Sequence, residues 1–416
     1  MAARAVVGLL GLGTIGSGVW RACQERAELL AECSGRPLFI KKALVRDAAR
    51  PRPGVPQSLL TGEPADILGD DEVEIVIEVL GGEHPAYEYV RQALLAGKHV
   101  VTANKELLAK HGQELFALAR ERGLELACEA SVGGGIPVIA ALRKNLAANR
   151  IVALRGIVNG TTNFILTEMA EKGRDFASAL SEAQALGYAE PDPTNDVEGY
   201  DARYKLAVLC GLAFGAWLRA EEIPCRGITR LAPVDLDFAR QFGYAVKLLA
   251  TARRAGEAIE ANVQPALVPF ANPLAGVAGV FNAIQVRGDL VGDMLFYGRG
   301  AGPEPTASAI LADTIAIARG ERSPGPTDGG GTPALMTGEV PGVYYVRVQL
   351  PEAGAAEAVV GGLAGLGWKV RGSRLASGEA AFLVEVSGAS QARAIADGYL
   401  PAPAAGRLSA LLPVAE

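Results

Sequence analysis

Ala5-Val6-Val7-Gly8-Leu9-Leu10-Gly11-Leu12-Gly13-Thr14-Ile15-Gly16 opens the chain and decides its fold class. Ala5 to Leu10 is a continuous apolar run, the pattern of a parallel strand buried on both faces. A G-x-G-x-x-G follows at once, and a helical pattern runs from about Ile15 to Leu30. Such a glycine triplet is weak evidence by itself. Placed between a strand and a helix it predicts a dinucleotide cradle. Gly11 permits the tight turn, Gly13 lets the backbone approach a pyrophosphate, and Gly16 allows close helix–strand packing, with the helix N-terminus facing the anion. Gly11, Leu12, Gly13, Thr14, Ile15 and Gly16 are therefore candidate cofactor-binding residues.

Working outward, further strands fit Leu38 to Val45, Glu74 to Val79, His99 to Thr102 and Leu124 to Cys128. Helices fit Pro85 to Ala96 and Lys105 to Arg122. Strands alternating with helices predict an α/β fold with a doubly wound parallel sheet of the Rossmann kind. The second strand ends in Val45-Arg46-Asp47. Asp47 can accept the ribose hydroxyls of NAD, and Arg46 can pair with the extra phosphate of NADP. Both residues are present, so both cofactors stay open.

Past the glycine-rich Ser131 to Pro137 the pattern changes. A strand at Ile151 to Val158 leads into helices near Asn163 to Glu171, Phe176 to Gln184 and Tyr200 to Phe214. Mixed helix and strand follow, with a strand at Asn282 to Arg287 and an apolar-striped helix at Thr306 to Ala318. The domain division expected is a nucleotide-binding domain at 1–135, completed by 303–320, and an α+β domain at 136–302, to which the resemblance described below assigns substrate binding and dimerisation. A linker at 321–341 and a small α+β module at 342–416 complete it.

Bulk composition narrows the partners. The 416 residues are 50% apolar and 21% charged, with a formal net charge of −6. That balance gives no electrostatic reason to bind nucleic acid or an anionic membrane. No apolar run reaches the length of a membrane span, and Met1 to Leu10 is too short for, and lacks the layout of, a signal peptide. The five cysteines are dispersed, which reads as reduced thiols in a cytoplasmic protein. Only three histidines are present, His84, His99 and His111, and they share no metal-ligand spacing.

With histidine scarce, proton transfer falls to another residue. Asn159-Gly160-Thr161-Thr162-Asn163 begins a stretch that ends in Glu190-Pro191-Asp192-Pro193-Thr194-Asn195-Asp196-Val197-Glu198-Gly199-Tyr200-Asp201-Ala202-Arg203-Tyr204-Lys205. Five acidic residues crowd into that segment, which two prolines stiffen, and one lysine follows at helical spacing. Asp201 and Lys205 are four apart, so they share a helix face. A carboxylate so placed holds an ammonium charged and oriented. A surface salt bridge of the same spacing is common on any helix.

The motifs together resemble homoserine dehydrogenase. They are Gly11 to Gly16, Val100-Val101-Thr102-Ala103-Asn104-Lys105, Glu129-Ala130-Ser131-Val132-Gly133-Gly134-Gly135-Ile136-Pro137, Asn159 to Phe164, Glu190 to Lys205, and Gly298 to Ala309. They are collinear over roughly the first 320 residues. The resemblance implies reduction of L-aspartate 4-semialdehyde to L-homoserine with NADP or NAD, on the route to threonine and methionine. It implies a catalytic Lys205 with its partner Asp201, and an assisting Lys105 near nicotinamide and substrate. Arg46, Thr102 and Gly302 would join the cofactor site. Glu190 would bind the substrate ammonium, with Thr161, Asp196 and Asp201 beside it. A monovalent cation, usually sodium, would sit on the carbonyls of Glu129, Val132, Gly134 and Ile136. The family also implies a homodimer formed through the middle domain, and the chain is expected to be the stand-alone form, without a preceding aspartate kinase domain.

The last segment resembles an ACT domain, a module that senses amino acids. Tyr344 to Leu350 alternates as a strand, Ala355 to Leu366 fits a helix, and Ala381 to Val386 fits a strand, in an expected order of strand, helix, strand, strand, helix. Pro351-Glu352-Ala353-Gly354 stands where that family carries Asp and then Pro-Gly, which leaves an amino-acid effector or a purely dimer-forming role both open. Two other readings of the whole chain are another semialdehyde or amino-acid dehydrogenase, and a non-catalytic sensor of dinucleotide and amino acid. An acyl-transferring enzyme would need a nucleophilic cysteine, for which Cys128 is the one candidate near the sheet edge.

Overall fold

The N-terminal apolar run forms β1 (Ala5–Leu10), buried along its whole length. In this computed structural model, residues 4–323, 334–336, 342–350, 355–365, 367–376, 378–387 and 407–415 are described. β1 lies inside a six-stranded sheet with β2 (Leu38–Leu44), β3 (Leu60–Thr61), β4 (Ile75–Glu78), β5 (His99–Thr102) and β6 (Leu126–Ala127). The order is β3-β2-β1-β4-β5-β6, and every pair is parallel. The strand order reverses between β1 and β4, which makes their carboxyl ends the place where a ligand binds in such sheets. The expected Rossmann fold is present. β3 and the short helix Ala65–Leu68 are additions with no strong sequence signal.

The helix expected from Ile15 to Leu30 is two helices, Thr14–Glu25 and Ala27–Ser34. They break at Arg26 (φ −124°, ψ 25°), where neither glycine nor proline marks the change. The helix Pro303–Ala318 packs back on this layer. Its Ala307, Ile310, Leu311 and Ile317 share one apolar core with Val7, Leu9, Val19 and Ile77. The helices meet closely at Gly18, whose added Cβ would lie 3.1 Å from the Pro303 carbonyl oxygen.

A second sheet contains β7 (Ile151–Ile157), β8 (Tyr244–Ala255), β9 (Ala258–Pro269), β10 (Phe281–Gly288), β11 (Gly292–Arg299) and β12 (Leu335–Met336). Its order is β11-β10-β7-β8-β9-β12. β8 and β9 form a long antiparallel hairpin that turns through Gly256, whose φ of +63° only glycine adopts readily. Much of the expected linker lies outside the described residues, but Leu335 and Met336 add a short parallel strand beside β9.

Two compact units result. One comprises Met1–Leu154, Tyr204–Glu222 and Asn282–Ala334; the other comprises Arg155–Arg203, Ile223–Phe281 and Leu335–Glu416. Within the second, β13 (Gly342–Gln349), the helix Ala355–Gly365, β14 (Lys369–Ala376) and β15 (Glu379–Val386) follow the expected order. β16 (Arg407–Pro413) then closes an antiparallel sheet of order β14-β15-β13-β16. Tyr344, Val346, Phe382, Val384 and Trp368 fill its core. β16 was not expected; the module was expected to end on a helix, which is not found among the described residues, and the loop Pro351-Glu352-Ala353-Gly354 lies outside them.

Candidate active site

The first unit holds the nucleotide half. Gly11 leaves β1 with φ +106°, a conformation strained for any side chain. An added Cβ on Gly16 would sit 2.1 Å from the Gly11 carbonyl oxygen, so the turn closes only on glycine. At Gly13 a Cβ would meet nothing within 4 Å. Gly13 therefore faces open space. Leu12 is buried; its carbonyl accepts from Arg52 Nη1 at 2.8 Å, which ties the loop to the segment after β2. Thr14 and Ile15 begin the helix. Gly302, at φ +112°, starts the helix Pro303–Ala318. Arg46 is exposed beyond β2. The carboxylate of Asp47 accepts the Ala49 N–H at 3.0 Å and so stabilises its own turn.

At the carboxyl edge, a fully buried Glu78 ends β4. It accepts the Leu80 N–H at 2.7 Å and the Thr102 hydroxyl at 2.5 Å. Thr102 Oγ1 in turn accepts the Asn104 N–H at 3.0 Å. Asn104 caps the helix Lys105–Glu121 through the Leu107 N–H at 3.0 Å and donates to the Gly82 carbonyl at 2.7 Å. This chain of bonds fixes where Lys105, first residue of that helix, leaves the sheet edge. Burial pushes the Glu78 carboxyl above its ordinary range, opposed by the hydrogen bonds from Thr102 and Leu80. Reasoning from sequence missed Glu78, although a carboxylate inside Ile75-Val76-Ile77-Glu78-Val79 was a visible signal.

The glycine turn after β6 takes left-handed geometry at Gly133 (φ +75°) and Gly134 (φ +56°). A Cβ on Gly134 would lie 2.5 Å from the Gly300 carbonyl oxygen, so the two glycine clusters pack backbone to backbone. Glu129, Val132 and Ile136 are buried. The Glu129 carboxylate is already used, accepting the Ile139 and Ala140 N–H groups at 2.8 and 2.6 Å. Among the described residues, no cluster of three or more His, Cys, Asp or Glu side chains is placed to hold a metal ion.

The second unit holds the acidic half. Asn159 caps the helix Gly160–Lys172 through the Thr162 N–H at 2.9 Å. Its Nδ2 donates to Asp196 Oδ1 at 2.6 Å and to Asp201 Oδ2 at 2.9 Å, bringing two of the expected acids together. Thr161 donates its hydroxyl to the Tyr188 carbonyl at 2.7 Å. Gly160 and Thr161 open that helix, ahead of the Thr162 N–H that Asn159 caps. Glu190 is exposed nearby in sequence. Asp192 accepts from Thr194 N and Oγ1 at 3.1 and 2.6 Å and so orders its own turn. Asp201 and Lys205 both lie on the helix Tyr200–Phe214, one turn apart; Asp201 is buried and Lys205 half-buried.

Cys128 is buried, and burial pushes its thiol up to about 12. Burial disfavours the thiolate that acyl transfer would need.

Comparison with known proteins bears on the same residues. The NAD-binding domain model of homoserine dehydrogenase matches residues 11–129, and the homoserine dehydrogenase model matches 137–315. A homoserine dehydrogenase of Pseudomonas aeruginosa is 48% identical over 315 residues, 75% of this chain and 72% of that protein. The chain belongs to the homoserine dehydrogenase family. A homoserine dehydrogenase structure from Thiobacillus denitrificans superposes with a TM-score of 0.91 at 41% identity, covering 100% of this chain and 99% of the other. A hyperthermophilic archaeal homoserine dehydrogenase in complex with NADPH aligns with a TM-score of 0.64 at 27% identity, over 77% of this chain and 99% of that one. The resemblance drawn from the motifs holds, and the chain is an NAD(P)-dependent oxidoreductase of that family, with the family's place in threonine and methionine biosynthesis. Among the described residues, no helix is long and apolar enough to cross a membrane.

Proposed function

We propose that this homoserine dehydrogenase reduces L-aspartate 4-semialdehyde to L-homoserine with Lys205 as the proton donor. Bound NAD(P)H supplies the hydride. The open space at Gly13, beside a turn that only glycine at 11 and 16 can close, fits the pyrophosphate. Exposed Arg46 fits the extra phosphate of NADP, while Asp47 is engaged with its own turn; this favours NADP. Lys205, one helical turn from Asp201, stabilises the developing alkoxide and protonates it. Asp201 keeps that ammonium charged. Lys105, fixed by the Asn104 cap, orients the aldehyde oxygen. Glu190 receives the substrate ammonium, and the helix start at Thr161 receives its carboxylate. Asp196 completes the acidic wall through Asn159.

The observation that carries the reading is the Asn159 amide shared between Asp196 and Asp201. A surface ion pair has no use for such a buried bracket, whereas a lysine that must point one way does. The backbone oxygens of Glu129, Val132, Gly134 and Ile136 suit a hard monovalent cation such as sodium, which would stiffen the glycine turn. The exposed apolar Leu290, Val291, Leu295 and Tyr297 on and beside β11 support a homodimer formed through this sheet. The five unpaired cysteines support a cytoplasmic setting. The segment 342–416 is read as an ACT-like module that serves either an amino-acid effector or dimer contacts.

Steady-state kinetics of wild type and Lys205→Ala, with NADPH and NADH compared, tests the assignment. Lys205→Ala is expected to lose turnover by roughly a hundred- to ten-thousand-fold with cofactor affinity retained. Equal turnover would remove Lys205 from the mechanism, and binding of both ligands without turnover in wild type would make the chain a sensor.

A further inference from the structure

Lys247 lies on β8, only 6% exposed, with no part in the site described above. Its Nζ donates to the Val277 carbonyl at 2.5 Å and approaches Asn163 Oδ1 at 3.4 Å. Asn163, also buried, directs its Nδ2 at the carbonyls of Val277, Gly279 and Phe281, at 3.2, 3.0 and 3.2 Å. The Gly279 N–H completes the contact by donating to Thr167 Oγ1 at 3.0 Å. Loop 277–281 is thereby pressed on the first turns of the helix Gly160–Lys172. It comes so near that a Cβ on Gly160 would lie 2.8 Å from the Val280 carbonyl oxygen. Gly160 sits between Asn159, which brackets Asp196 and Asp201, and Thr161.

We propose that Lys247 is a positioning residue, whose ammonium seats loop 277–281 against Gly160 and so sets the substrate-binding turn 159–162. The role rests on reading that turn as the substrate site. Burial makes the cation costly: it pushes the Lys247 ammonium down to about 8, with the Glu171 carboxylate partly opposing the shift. A purely structural residue at this depth would be better apolar. An ammonium, in contrast, can serve a carbonyl and an amide oxygen at once.

The test is steady-state oxidation of L-homoserine by the full-length Lys247→Met, Lys247→Gln and Lys247→Arg enzymes, with melting temperatures. Lys247→Met is expected to raise KM for homoserine about tenfold or more while kcat stays within about threefold, with KM for NADP unchanged and the melting temperature not lowered. Lys247→Arg is expected to recover most of the loss, since it restores a charged donor. An unchanged homoserine KM in Lys247→Met overturns the proposal. So does an equal loss in kcat, cofactor affinity and melting temperature, or the failure of both Lys247→Met and Lys247→Gln to fold. Thr161→Val separates the two readings. If it leaves the homoserine KM unchanged, the turn is not the substrate site. If it raises KM and Lys247→Met does not, only the positioning role falls.

Discussion

Asn159 uses its carbonyl oxygen on the Thr162 N–H and its amide group on two carboxylates. Changing it to Asp would put a third carboxylate against Asp196 and Asp201, and the like charges would drive one of them to take up a proton. Asn159→Asp is therefore expected to lower kcat/KM for homoserine about a hundredfold, and loss of the two buried bonds should cost about 1–3 kcal/mol of stability each. Unaltered kinetics would show that the bracket does not set the acidic half. His99 offers a pH-dependent counterpart. Its Nδ1 accepts the Glu125 N–H at 2.9 Å, and burial pushes the ring down to about 4 from an ordinary 6.5. Between those values the unfolded chain binds a proton that the folded one refuses, so stability falls as pH drops from about 6.5 toward 4. His99→Asn keeps an acceptor for the same N–H but does not titrate. Its melting temperature should fall less than that of wild type between pH 7 and pH 5; parallel losses would clear His99 of the effect. At this scale the sequence was half legible. The residue types of the site stood in its motifs, but the partners of Asn159 lie 37 and 42 positions away, and no spacing rule reaches that far.

At the scale of elements, periodicity served well wherever burial is one-sided or complete. β5 and the helix Tyr200–Phe214 keep their expected bounds because an apolar run and a helical repeat leave no competing register. The break at Arg26 was not legible, since neither a glycine nor a proline marks it. The glycine loop allows a sharper test, because its two glycines differ in what surrounds them. Gly13→Ala points into open space and should leave the melting temperature within about 1 °C while raising KM for NADPH about tenfold. Gly16→Ala forces a Cβ to 2.1 Å from the Gly11 carbonyl oxygen and should lower the melting temperature itself, a cost of about 1–3 kcal/mol. Matching effects from both substitutions would mean that the loop only packs and cradles nothing.

For the molecule as a whole, the C-terminal module was legible as strands and a helix, whereas what anchors it was not. Asp235, 0% exposed on the helix Pro233–Gln241, accepts from Tyr345 Oη at 2.9 Å and from Arg347 Nε and Nη2 at 2.7 and 3.1 Å. It also accepts the Ala232 N–H at 2.9 Å, and Arg347 reaches on to Glu379 of β15. Tyr345 and Arg347 alternate on β13 toward the same side, as a strand requires. Desolvation opposes the Arg347 charge, but the Asp235 and Glu379 carboxylates outweigh it and hold the guanidinium above its ordinary value. Breaking one side of such a buried pair leaves a charge without its partner, which costs about 3–5 kcal/mol, while removing both charges together costs far less. Arg347→Met should therefore lower the unfolding free energy by about 3–5 kcal/mol, and the double variant Asp235→Asn with Arg347→Met should recover a large part of it. Denaturant unfolding of the four proteins measures the coupling directly. A double variant no more stable than Arg347→Met would show that the module is held by its apolar contacts, with the ion pair incidental. Recovery would mean that a strand some hundred residues beyond Asp235 is part of the same cooperative unit as the helix that leads into β8.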